Sequence, residues 1–148
     1  MSRHPQSGPA AVVLTGVAAL HVLWGAGAAW PAGSRSELAD VVAGAEEMPP
    51  AGACFAVAGV LLAAAGLTAG AGGQRRPAQV ARAAVALGLL ARGVTGVTGV
   101  TSRLAPWAPS ARFDALDRRW YGPLCLGLGS SVALSALAGT RGAARRGA

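Results

Sequence analysis

The chain has 148 residues, 53% apolar and only 13% charged, with a formal net charge of +7. All 13 basic residues are arginine, and the charges cluster between long charge-poor runs. That distribution excludes an ordinary soluble domain and reads as a polytopic membrane protein. The basic surplus does not point to nucleic acid, because the arginines are scattered and only single aromatic residues stand near them. Attraction to anionic lipid headgroups fits the charge better.

Residues 1–9 read as a short polar tail. Ala10 to Trp30 then carries no formal charge over 21 residues, enough at about 1.5 Å per residue to cross roughly 30 Å of hydrocarbon. Cleavage as a signal peptide at Ala26-Gly27-Ala28 is the alternative, although the run is long and further spans follow. Residues 32–50 form a polar loop with Glu37, Asp40, Glu46 and Glu47 against Arg35. Pro49-Pro50 introduces a second span over 51–71, since proline suits a first helical turn. A tight loop with Arg75 and Arg76 leads to a third span over 80–101, with Arg82 near its start and Arg92 inside. A mixed loop over 102–121 precedes a short last span, 122–138, and a basic tail over 139–148.

The expected fold is therefore all-α: a single four-helix transmembrane bundle over residues 10–138. Arg3, Arg75, Arg76, Arg141, Arg145 and Arg146 would be cytoplasmic with both termini inside, and the acidic first loop would face out. Arg103, Arg112, Arg118 and Arg119 run against that orientation. The excess of Ala, Gly and Arg resembles a GC-rich coding bias and points to a bacterial plasma membrane.

Counting from the outer ends places His21 and Arg92 at one depth, nine residues or about 13 Å down. An intramembrane arginine costs on the order of 3 kcal/mol, so it should face the bundle and find acceptors. Thr95 and Gly99 share its helical face, and Trp24 shares that of His21. The candidate site is thus a cluster of His21, Trp24, Arg92 and Thr95, with Thr98 beside it, fitted to a small anion or a lipid headgroup. The competing reading is structural: Arg92 snorkels to the headgroups and His21 bonds between helices. No carboxylate falls inside these spans, which argues against a proton relay.

Cys54 and Cys125 each lie one turn below the outer face and would pair if the second and fourth spans were neighbours. A buried apolar role is the alternative for each. Trp30, Trp107, Trp120 and Tyr121 fit an aromatic belt. Gly93, Gly96 and Gly99, and Gly127, Ser131 and Ser135, read as close-packing stripes. Asp114 and Asp117, at i and i+3, are expected to cap a short helix or pair with an arginine. No zinc spacing, phosphate loop or catalytic triad is present, so no metal, cofactor or enzymatic activity is expected.

Two stretches carry a family resemblance. His21, Trp24, Gly25, Trp30 and Pro31, followed by Phe113, Asp114, Tyr121, Pro123, Leu124 and Cys125, resemble the bacterial membrane family called domain of unknown function 3995. An arginine in the third span, here Arg92, fits that family too. Gly122 stands where the family often has serine, which weakens a binding role there. The resemblance implies a small four-span protein and no known activity, and marks Trp30, Asp114 and Tyr121 as an outer-edge motif. The function expected is a structural or accessory subunit, or a binder at the His21/Arg92 cluster. A thiol oxidoreductase or small transporter is the alternative. Its surroundings are the bilayer and either another membrane protein or further copies of itself.

Overall fold

The computed structural model describes residues 7–146, with side chains from 8 to 137. The expected tail residues Arg3 and His4, and the side chains of Arg141, Arg145 and Arg146, lie outside the described residues. The described chain is helical throughout: α1 Ser7–Gly25, α2 Arg35–Ala43, α3 Ala51–Thr68, α4 Arg76–Thr98, α5 Thr101–Leu104, α6 Ala111–Leu116 and α7 Gly122–Arg146. One π-helical turn, Asp117–Tyr121, joins α6 to α7 without a break.

Local chemistry sets these boundaries. Pro50 stands at the N-cap of α3, and a proline occupies the first turn of α4, where the missing N–H has no helical partner to lose. Gly99 ends α4 in the left-handed region at φ 73°, a conformation that favours glycine. The first loop holds the unforeseen helix α2. Ser34 accepts from the Glu37 N–H while the Glu37 carboxylate accepts from the Gly33 N–H, a variant of the capping box. Gly44, at φ 65°, closes α2.

Helices α1 and α3 pack along each other, as do α4 and α7. At the end away from α2 the two pairs meet through Ala10, Leu14, Ala64, Ala65, Ala86, Leu128 and Val132. Large apolar side chains point outward instead, among them Val12, Leu23, Phe55, Val60, Leu62, Leu87, Val94 and Leu134. Small residues inside and large apolar residues outside is the pattern of helices solvated by hydrocarbon, where close backbone approach drives association.

Four helical stretches are long and apolar enough to cross a membrane: Gly8–Gly25, Ala51–Thr68, Arg76–Thr98 and Ala111–Leu137. The all-α architecture with four membrane-length helices is as expected and suggests a multi-pass membrane protein. The last span is not short, because α6 and the π turn extend it before Gly122.

The glycine stripe of α4 packs as expected. A Cβ on Gly93 would lie 2.7 Å from Leu126, and one on Gly96 would lie 3.0 Å from the Cα of Gly122. The stripe of α7 is different. Gly127 faces open space, and Ser131 and Ser135 donate to carbonyls of their own helix. Gly122 and Gly129 make the close approaches instead, against Val97 and Leu90.

Arg82 has a structural task at the far end of the bundle from α2. Its guanidinium donates to the carbonyls of Leu67, Ala71 and Gly73 at 2.8–2.9 Å, the first in the last turn of α3 and the other two in the turn that follows it. Arg82→Ala should cost about 2 kcal/mol, the scale of charge-assisted hydrogen bonds. Denaturation in mixed micelles measures this. Arg82→Lys should recover less than half, since one ammonium cannot match the planar fork.

Candidate functional site

The end of the bundle that carries α2 is closed by a cap in which the first loop and the 102–121 segment are stitched together. Tyr121 donates its hydroxyl to the Val41 carbonyl, Trp107 donates to Ala43, and the Ser110 N–H donates to Gly44. Ser110 caps α6 by accepting from the Phe113 N–H. Phe113 is buried, and a Cβ on Gly44 would meet it at 3.0 Å. Arg112 stands 3.6 Å from Glu37 and 3.7 Å from Asp40, exposed pairs that contribute little.

Below this cap the two helix pairs diverge around a cavity of about 820 Å³. Its wall is mainly aliphatic, with Leu20, Val57, Leu61, Leu89, Leu124 and Leu128 among its residues. His21, Trp24, Arg92 and Tyr121 also line it, so the first and third spans bring His21, Trp24 and Arg92 of the expected cluster to one space, while Thr95 is not among the lining residues. The volume falls within the general range of small-molecule pockets, about 300–1,000 Å³.

Each polar group in the wall has a definable state. The Trp24 indole N–H donates to the Trp30 carbonyl at 2.8 Å, which holds the ring across the end of α1. Arg35 reaches back to the Trp24 carbonyl at 3.1 Å. The His21 ring lies 4.8 Å from the Trp24 ring, tilted by 53°. Its Nδ1 is 2.8 Å from the Val17 carbonyl. A carbonyl only accepts, so Nδ1 carries the hydrogen, and in the neutral ring Nε2 is an acceptor.

Arg92 differs from expectation in its partners. Thr95 and Thr98 do not hold it; Thr95 donates to the Arg92 carbonyl and Thr98 to that of Val94, both on their own helix. The guanidinium instead grips Asp117 in a fork, with Nη2 to Oδ1 at 2.7 Å and Nη1 to Oδ2 at 3.2 Å. Thr101 accepts a further bond at 3.3 Å. The Asp117 side chain is 2% exposed and that of Arg92 37%. A carboxylate does therefore lie in the helical span, as the first residue of the π turn. Pairing of Asp117 with an arginine was expected; the identity of that arginine required the tertiary fold.

Asp114 is separate from this pair. It accepts from Ser102 at 2.6 Å and pairs with Arg118 at 3.0 Å. Of the outer-edge motif, Tyr121 belongs to the cap, Trp30 supplies a backbone acceptor and an exposed ring, and Asp114 orders the segment between α5 and the π turn. The rings of Trp30, Trp107 and Trp120 are exposed, in keeping with a belt.

Cys54 and Cys125 both line the cavity, yet they are free thiols. The adjacency of the second and fourth spans that a cysteine pair would need is not the packing found: α3 lies along α1, and α7 along α4. The Cys54 thiol sits 3.9 Å from the Pro49 carbonyl, its one hydrogen-bond acceptor among the described residues. No group of three metal-ligating side chains occurs among the described residues.

A helical bundle with four membrane-length helices, capped at one end over an apolar cavity and pinned by an arginine on a buried aspartate, is the class of protein that this fold and site define. The chain belongs to DUF3995, a family of proteins of unknown function, whose model matches residues 14–132. That match runs from α1 into α7 and includes His21, Trp24, Arg92, Asp117 and Tyr121. No curated protein and no solved structure matches the chain.

Proposed function

We propose that this protein is a non-catalytic binder of a membrane-borne amphiphile, held with its apolar body in the bundle cavity and its polar end beneath the cap. The cavity of about 820 Å³ carries this reading. It is large enough for a drug-sized molecule or an acyl chain, and polar groups gather only toward its capped end. Six arginines in the two tails and the α3–α4 loop, against five in the two cap segments, support an orientation with the cap outside and both termini in the cytoplasm.

Val57, 43% exposed, lines the open side of the cavity, whereas Val12, 71% exposed, is not among its lining residues. Val57→Trp should fill part of the space and deplete any amphiphile that co-purifies through detergent exchange by about tenfold, equivalent to about 1.4 kcal/mol. Val12→Trp should leave it in place. Mass spectrometry of the extracted lipids reads the result. Equal retention in the two variants, or no amphiphile on the unsubstituted protein, overturns the reading.

A further inference from the structure

The hydrogen-bond inventory of the cavity narrows the chemistry of its occupant. Trp24 has spent its N–H on Trp30, Tyr121 its hydroxyl on Val41, and His21 its Nδ1–H on Val17. The charge of Arg92 is neutralised by Asp117, and that of Arg112 faces Glu37 and Asp40. A net positive field that would select an anion is therefore missing from the wall. Among the ring and hydroxyl groups of the wall, one acceptor remains open: with the hydrogen on Nδ1, His21 Nε2 has no hydrogen-bond partner among the described residues. No polar side-chain atom among those residues is both buried and unsatisfied, so Nε2 opens onto accessible space, and His21 is a cavity residue.

We infer that the site takes a neutral amphiphile with a hydroxyl group, a membrane-soluble alcohol or phenol, whose O–H donates to His21 Nε2 while its apolar body lies against Leu20, Val57, Leu89 and Leu124. This rests on the amphiphile reading above and replaces the anionic headgroup expected from Arg92 alone. The reason is physical. A phosphate brought beneath the cap loses its hydration and meets an arginine already matched by a carboxylate. A hydroxyl loses less and gains the one open acceptor. A ligand carbonyl finds no free donor on the ring in this tautomer.

The test uses the full chain in nanodiscs, with 15N-labelled histidine, titrated with 1-dodecanol, dodecyl methyl ether and dodecyl phosphate at matched mole fractions in the lipid. Dodecanol should bind roughly 2- to 12-fold more tightly than the ether, the range one net hydrogen bond confers. The His21 Nε2 resonance should move with dodecanol only. His21→Phe should abolish the difference between alcohol and ether; the comparison on the unsubstituted protein stands even where that variant does not fold. Equal affinity for alcohol and ether, with Nε2 unmoved, overturns the role of His21 and leaves the cavity reading intact. Tightest binding of dodecyl phosphate, lost in Arg92→Met, overturns it in favour of an anion site. Binding of none of the three overturns the cavity reading itself.

Discussion

Replacing Arg92 by methionine should destabilise the bundle by about 3–5 kcal/mol, the cost of leaving a buried charge without its partner. Asp117 would then keep a carboxylate on a side chain only 2% exposed, enclosed by α4 and the π turn. The reverse change, Asp117→Leu, should cost less, about 2 kcal/mol. Arg92 is 37% exposed, and its long stem lets the guanidinium turn toward the cavity or the headgroups. The double variant Arg92→Met/Asp117→Leu should be more stable than Arg92→Met alone, because no charge is then left unpaired. Unfolding in mixed micelles for the four proteins closes the cycle. Equal costs for the two single variants, or strict additivity, would show that the pair is not coupled as the geometry states.

The second large effect lies two residues apart on one helix. Gly129→Ala places a Cβ 2.9 Å from the Leu90 backbone nitrogen and 3.1 Å from the Ala86 carbonyl oxygen. Backbone atoms cannot rotate away, so α4 and α7 must separate, at about 1–3 kcal/mol. Gly127→Ala meets nothing within 4 Å. It should be neutral or stabilising by about 0.5–1 kcal/mol, since alanine loses less backbone freedom than glycine in a helix. The same micelle unfolding reads both. A loss of stability in Gly127→Ala would mean that this face has a partner in the membrane, such as a second copy of the chain.

These two contrasts also show how the site depends on the packing. Gly96 lets α4 approach the π turn, and a Cβ there would stand 2.9 Å from both Arg92 Nη1 and Asp117 Oδ1. The ion pair and the glycine seam are thus one construction. It holds α4 to α7 on one side of the cavity, while α1 and α3 form the other side.

Charge distribution alone determined the class of this protein and the positions of its four spans. Long uncharged runs have no competing stable arrangement in hydrocarbon except helices. The depth of His21 and Arg92 followed from helical rise, and both do line one cavity. The polar composition of residues 32–50 reads as loop and hides helix α2, although Ser34 and Glu37 stand at capping-box spacing before Gly44. Partner choice was not legible. Arg92 had Thr95 on its own helical face, but threonine hydroxyls in a helix turn back to the preceding carbonyls, and the acceptor came from 25 positions away. The π turn that sets Asp117 against α4 has no sequence signature, and neither does the pairing of α1 with α3 and α4 with α7; in the second pair Gly93, Gly122 and Gly129 meet backbone across the interface. Helical periodicity orders residues along one helix; which faces meet across helices is decided only when close packing and the neutralisation of a buried charge are satisfied together.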